Sequence, residues 1–123
     1  MKKEILNRDD IKRLVDAFYL KVREDNLLAE IFNVRIKDNW PLHLEKMYSF
    51  WESLLLDKVT YHGNPFAQHV DLPVEKEHFE RWLKLFGETV DELFEGEKAE
   101  EAKSRAAKIA VIFHTKIQGL RKP

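Results

Sequence analysis

The segment from Tyr61 to Pro73 carries the residues best suited to chemistry, because it interrupts an otherwise helical chain and presents His69 after a short turn that begins with proline. A second histidine, His43, follows Trp40 and Pro41 near the start of a long amphipathic stretch. The two imidazoles could therefore face each other across a gap walled by apolar side chains. Two opposed histidines in a chain without cysteine suggest a haem pocket.

Size and composition favour one domain that spans residues 1–123. At this length roughly two thirds of the unfolded surface can be buried, which is enough for a core without disulfides. The 21 Lys and Arg residues are interspersed with 22 Asp and Glu, for a net charge of -1. This balance argues against nucleic acid or a membrane as a partner. The lack of cysteine excludes iron–sulfur clusters, zinc fingers and thiol enzymes.

The N-terminal residues do not have the pattern of a signal peptide, since no apolar run follows Lys2 and Lys3. No segment reaches the roughly 18 consecutive apolar residues that a membrane span requires. We therefore expect a cytoplasmic protein, and we expect it to be a monomer.

Apolar residues recur at helical spacing through most of the chain, and Asn7 is a suitable N-cap for the first helix. A loop is predicted at residues 57–73, and its length and its aromatic and histidine content favour a functional role over disorder. Helices are predicted at about 8–24, 41–56, 75–94 and 97–118, the last ending near Gly119, with a short helical piece at 26–32 and a polar link at 33–39.

Seven short motifs distributed over nearly the whole chain resemble those of the group III truncated haemoglobins. They are Ala17–Arg23, Ile31-Phe32, Trp40–His43, Phe50-Trp51, Tyr61–Pro65, His69–Leu72 and Arg81–Phe86. The chain has no adjacent glycines, whereas groups I and II of that superfamily typically have glycine pairs, so group III is favoured.

The resemblance implies an all-α, globin-like fold. It would be a two-on-two helical sandwich around haem b, that is, iron protoporphyrin IX. The first helix of a classical globin would be vestigial, and the proximal helix would be reduced to a loop plus a short turn. Such proteins are of bacterial type.

The resemblance also assigns roles to individual residues. His69 matches the proximal metal ligand, while Tyr19, His43 and Trp82 match the distal groups that act on a bound ligand. The resemblance implies that the apolar and aromatic residues that pack against the cofactor are Phe32, Met47, Phe50 and Trp82. Tyr61, His62, Lys46 and Arg81 flank the predicted pocket and are open candidates for contacts with the haem propionates.

These residue types suit a haem that binds dioxygen, NO or another diatomic ligand. A neutral imidazole is a strong axial base, and the Tyr19 hydroxyl and the Trp82 indole N–H are donors that would slow the release of oxygen. Slow release favours NO dioxygenation or peroxide chemistry, although oxygen delivery uses the same donors. No flavin or nicotinamide motif is visible, so electrons would have to come from a separate reductase.

Three alternatives remain open at this point. A cofactor-free helical interaction module would use the same aromatic residues as core, and a haem sensor or transporter would need a partner to dock on. The spacing Glu75-x-x-His78 matches half of a carboxylate-bridged metal site, but a four-helix di-iron protein needs a second copy, which the chain lacks. We interpret His62, His78 and His114 as surface or otherwise satisfied histidines.

Overall fold

The computed structural model describes residues 2–61, 63 and 74–121. These residues form five α-helices and no strand, apart from one isolated parallel bridge between Lys3 and Phe94. The all-α prediction is confirmed. The helices are α1 (Arg8–Glu24), α2 (Ala29–Ile36), α3 (Trp40–Leu55), α4 (Lys76–Leu93) and α5 (Glu97–Arg121).

Four of the helices pack as two crossed pairs. Helix α1 packs on α3 and α4 packs on α5, while α1 also contacts α4 and α3 contacts α5. The apolar stripe of α1 reaches the centre of this arrangement, since its apolar residues at helical spacing are at most 2% exposed: Ile11, Leu14, Val15, Phe18 and Val22. Burial of each such side chain contributes about 1.5–3 kcal/mol. The predicted two-on-two sandwich is therefore present.

Helix α1 begins and ends where the sequence predicts. The Asn7 side chain accepts a hydrogen bond from the backbone N–H of Asp10, and the chain turns extended at Asp25. The Asp25 carboxylate then accepts the backbone N–H groups of Leu27 and Leu28 at 3.1 and 3.0 Å. These bonds form a tight corner between α1 and α2.

The predicted bounds of the second helix were wrong. Residues 29–32 are helical as expected, but residues 26–28 form a turn, and residues 33–36 are helical rather than part of a polar link. The turn after Asp25 delays the start of the helix. Burial of Ile36 to 7% exposure extends the helix through Asn33, and it ends where Lys37 adopts a positive φ of 56°.

Helix α5 continues to Arg121 instead of stopping near Gly119. Glycine inside a helix costs only about 1 kcal/mol relative to alanine. The fully buried Ile117, packed in a small cluster with Val74, Ile31 and Phe79, offsets that cost. The C-terminal turns of α5 are thus held by tertiary packing.

Residues 2–7, which precede α1, do not form a helix. The Glu4 carboxylate accepts the backbone N–H of Lys98 at 2.8 Å and so caps the start of α5. Gly96 makes this close approach possible, because its φ is +103° and a Cβ there would lie 2.1 Å from a Glu4 carboxylate oxygen. Ile5, 1% exposed, anchors the segment in the core.

Within the described residues, none of the helices combines the length and apolar character needed to cross a membrane.

Candidate functional site

A cavity of about 530 Å³ opens between the helices. This volume lies within the range of roughly 300–1,000 Å³ that is typical of small-molecule and cofactor sites. All five helices contribute to its walls, which are mainly apolar and aromatic: Tyr19, Leu28, Ile31, Phe32, Ile36, His43, Met47, Phe50, Trp51, Val74, Phe79, Trp82, Ile109, Ala110 and Phe113.

The predicted site residues that the structure describes all line this one cavity. They come from four different helices and are Tyr19, Phe32, His43, Met47, Phe50 and Trp82. The predicted iron ligand, His69, lies outside the described residues, as does His62.

Tyr19 and His43, which line the cavity, contact each other and also Trp40. The Tyr19 and His43 rings have centroids 5.1 Å apart, Trp40 lies 5.7 Å from His43 and 5.8 Å from Tyr19, and all three contacts are edge-to-face. The Arg23 guanidinium covers the Trp40 ring at 4.6 Å, within cation–π range. Tyr19 is 6% exposed, and burial raises the pKa of its phenol well above the ordinary value. Its hydroxyl therefore keeps its proton at neutral pH.

Stacked rings fix Trp82 on α4. Its indole is nearly parallel to the Phe86 ring, with centroids 5.7 Å apart, and Phe86 stacks in turn on Trp51 of α3 at 4.8 Å. Phe18 contacts the edges of both Trp82 and Phe86. Because Phe18 is followed directly by Tyr19, the same packing sets the relative positions of the two residues that carry donor groups.

Two basic residues, Arg35 and Lys46, also line the cavity. Arg81, a sequence candidate for the propionates, does not line it, because its guanidinium donates to the Asp25 carboxylate at 2.5 Å. Arg81 therefore joins α4 to the corner after α1. The third described candidate, Tyr61, lines the cavity and packs on Phe50 with centroids 5.3 Å apart.

The residues present fit a haem group. The cavity offers aromatic faces for a flat macrocycle, and Arg35 and Lys46 offer cationic groups for its carboxylates. The Nε2 atom of His43 is buried at the same site, so a polar atom lies inside the apolar wall.

Two histidines set aside in the sequence have other contacts. His78 Nδ1 accepts the backbone N–H of Glu75 at 2.9 Å, so the Glu75-x-x-His78 spacing serves the start of α4. His114 lies next to the Phe79 ring and 3.3 Å from the side-chain nitrogen of Gln118. Both are thus satisfied histidines, but His78 also lines the cavity, which the sequence did not indicate.

Several residues of the cavity wall were not predicted from the sequence. Arg35 was assigned to a polar link, yet it stands one helical turn after Ile31, and a longer α2 would have placed both on one face. Ile109 and Phe113 line the cavity from α5, and the spacing of apolar residues alone did not show that this helix reaches the cavity.

Comparison with known proteins gives the same picture as the geometry. The family described as bacterial-like globin matches residues 4–116. The chain is 39% identical over 117 residues to the group 3 truncated hemoglobin ctb of Campylobacter jejuni subsp. jejuni, with 92% of each chain covered. It is similar to the crystal structure of the group III truncated hemoglobin from Campylobacter jejuni, with a TM-score of 0.88, 38% identity and 95% of each chain covered.

The family match supports haem-based binding of small ligands. The chain belongs to the bacterial-like globin family and, within it, to the group III truncated haemoglobins.

Proposed function

We propose that this protein holds haem b through His69 and binds dioxygen or another small diatomic ligand beside Tyr19, His43 and Trp82. The observation that supports this proposal is the edge-to-face contact between the Tyr19 and His43 rings, in the wall of the cavity that Trp82 also lines. These are the three side chains of the predicted distal set, and they come from α1, α3 and α4.

When bound, haem supplies an iron that takes up a diatomic ligand. Tyr19 contributes a neutral hydroxyl donor, since burial raises its pKa, and Trp82 contributes an indole N–H, which can only donate. Their backbones are fixed by packed helices, so the donors need little reorganisation to meet a ligand. The apolar walls keep bulk water away, which strengthens each hydrogen bond inside.

Phe32, Met47 and Phe50, together with Trp82, supply the apolar surfaces on which the macrocycle would pack. Arg35 and Lys46 are the cationic residues that we assign to the propionates. Arg and Lys both bind carboxylates by charge-assisted hydrogen bonds.

Two donors slow the departure of oxygen and so favour turnover over delivery. We propose NO dioxygenation or peroxide chemistry, with electrons from a separate reductase. The test is consumption of NO by the reduced holoprotein in the presence of oxygen, with nitrate measured as product. Oxygen binding without nitrate formation would remove NO dioxygenation and leave peroxide chemistry or oxygen delivery as the function.

The haem itself is tested by absorbance and by substitution of the predicted ligand. The wild-type protein should show a Soret band, and His69→Ala should lose the spectroscopic signature of imidazole ligation and most of its bound haem. His114→Ala is the matched control, because His114 does not line the cavity, and it should retain both. A folded, colourless wild-type protein after expression with ample haem would instead indicate a cofactor-free interaction module.

A further inference from the structure

A buried carboxylate lies near the end of α3, away from the aromatic residues of the site. Glu52 is 3% exposed, and its Oε1 atom accepts hydrogen bonds from the Arg8 guanidinium at 2.8 Å and from the Thr60 hydroxyl at 2.9 Å. A buried charge is tolerated only with such partners. Glu52 therefore joins the start of α1 to the segment that follows α3.

Ser53, the next residue of α3, holds the same segment through its backbone. Its Oγ atom accepts the N–H groups of Thr60 at 3.1 Å and of Tyr61 at 3.0 Å. The Ser53 and Thr60 hydroxyl oxygens are 3.4 Å apart. The Thr60 hydroxyl donates to the Glu52 carboxylate at 2.9 Å, and the Ser49 carbonyl oxygen is a second acceptor at 3.2 Å. We call Glu52, Ser53 and Thr60 the polar clamp.

Hydrogen bonds are the main restraint on this segment, because little of it is buried. Residues 57–60 are all exposed, and Val59 is 81% exposed. Apolar burial therefore contributes little to the order of this stretch, in contrast to the helices. Without the polar clamp, residues 57–60 would sample many conformations.

The polar clamp fixes a part of the cavity wall. Tyr61, whose backbone N–H it binds, lays its ring on Phe50, and both rings line the cavity. Gly63 also lines the cavity and leaves room for the Tyr61 phenol, since a Cβ on Gly63 would lie 2.4 Å from the phenol oxygen. Partial burial raises the pKa of Tyr61 above its ordinary value, which keeps the phenol neutral.

We infer that Glu52, Ser53 and Thr60 are positioning residues that hold Tyr61 against the cavity and thereby set the rate at which haem is lost. This inference rests on the proposed function, since it assigns the cavity to haem. Glu52 and Ser53 do not line the cavity, and Thr60 does so beside Tyr61. The polar clamp acts by presenting a preformed wall, so that less conformational freedom is lost when the cofactor binds.

Thr60→Val tests the inference, because valine has nearly the same shape and lacks the hydroxyl. We expect the ferric holoprotein to release haem to an excess of an acceptor globin about tenfold faster, as the loss of one hydrogen bond to a charged group implies. Thr60→Ser keeps the hydroxyl and should restore the wild-type rate to within about twofold. Val59→Ala, at an exposed neighbouring position, should leave the rate unchanged.

A second measurement separates positioning from general stability. The unfolding midpoint of the haem-free Thr60→Val protein should fall only slightly below that of the haem-free wild type, because Arg8 still pairs with Glu52. The iron–imidazole stretching band of the ferrous holoprotein should shift. Equal haem loss in wild type and Thr60→Val would overturn the inference, as would equal acceleration by Val and Ser. Faster loss with a strongly lowered haem-free midpoint and an unshifted band would also overturn it.

Failure of this inference can be told apart from failure of the proposed function. If wild type binds haem through His69 and Thr60→Val behaves like wild type, only the role of the polar clamp is wrong. If wild type takes up no haem, both are wrong. Ser53→Ala, which removes the acceptor of two amides, should accelerate haem loss at least as much as Thr60→Val.

Discussion

The aromatic wall of the cavity, formed by Tyr19, His43 and Trp82, and the polar clamp at the end of α3 are held by different forces. Ring contacts at centroid distances of 5.1–5.8 Å hold Tyr19, Trp40 and His43. Hydrogen bonds of 2.9–3.1 Å hold the polar clamp. Contacts between rings do not require the polar atoms of these side chains. The polar clamp, in contrast, is held in its conformation by its polar atoms.

This difference matters for what each region can do. A ring of the aromatic wall can lose its hydroxyl and stay in place, because its position depends on its faces and edges. A residue of the polar clamp cannot, since the hydroxyl is the contact. The polar groups of the aromatic wall can therefore act on a ligand. The residues of the polar clamp are suited to positioning Tyr61.

The largest expected effect comes from removing the ring on which the aromatic wall is stacked. Phe86, 1% exposed between Trp51 and Trp82, should cost about 3–5 kcal/mol of unfolding free energy when changed to alanine. Urea denaturation of the haem-free protein measures this cost, and Phe86→Leu should recover most of it. A loss below about 1 kcal/mol for Phe86→Ala would show that the stack does not support the wall.

A smaller change, Tyr19→Phe, removes the donor and keeps the ring. If packing alone places this ring, stability should change by less than about 1 kcal/mol, while oxygen dissociates roughly ten- to a hundredfold faster. Stopped-flow dissociation of oxygen measures the rate. Because burial raises the pKa of Tyr19, the wild-type rate should show no titration of this phenol between pH 6 and about 9.

An unchanged rate in Tyr19→Phe would remove the hydroxyl from the proposed mechanism. Tyr48→Phe is the matched control. Tyr48 is likewise buried, but its hydroxyl donates to Asp16 and it does not line the cavity. Its loss should lower stability without altering oxygen release.

The aromatic wall could be predicted from the sequence to a large extent, and the polar clamp could not. Helices α1, α3 and α4 follow from stripes of apolar residues, and the motifs on them identify Tyr19, His43 and Trp82 in advance. Hydrogen bonds between distant residues leave no periodic signal. Nothing local at Glu52 indicates that its partners are Arg8 and Thr60.

Helix α2 shows a second limit of prediction from sequence. Its start depends on two backbone N–H groups bound by Asp25, and its length depends on burial of Ile36. Both are tertiary effects that outweigh local propensity over eight residues. Arg35 was missed as a cavity residue for the same reason, and the partner of Arg81 could not be foreseen because Asp25 lies 56 positions away in sequence.

The Asp25–Arg81 ion pair tests whether the aromatic wall also depends on a polar contact. The Asp25 side chain is 8% exposed, and its guanidinium partner belongs to the residue before Trp82. Burial opposes ionisation of Asp25, but the amides of Leu27 and Leu28 and the Arg81 guanidinium outweigh it and lower its pKa below the ordinary 3.8. Asp25→Asn should therefore destabilise the protein by about 1–3 kcal/mol at pH 7.

The pH dependence of this effect follows from the sign of the shift. A carboxyl with a lowered pKa in the folded state contributes stability above its unfolded pKa, and that contribution is lost as the pH falls through the folded value. The gap between wild type and Asp25→Asn in urea denaturation should thus be constant from pH 7 to about 5 and shrink below pH 4. Asp91→Asn, in an exposed pair with Lys103, should cost at most about 1 kcal/mol. If Asp25→Asn also accelerates oxygen release, the position of Trp82 depends on this ion pair; an unchanged rate means that ring packing alone is sufficient to hold the indole.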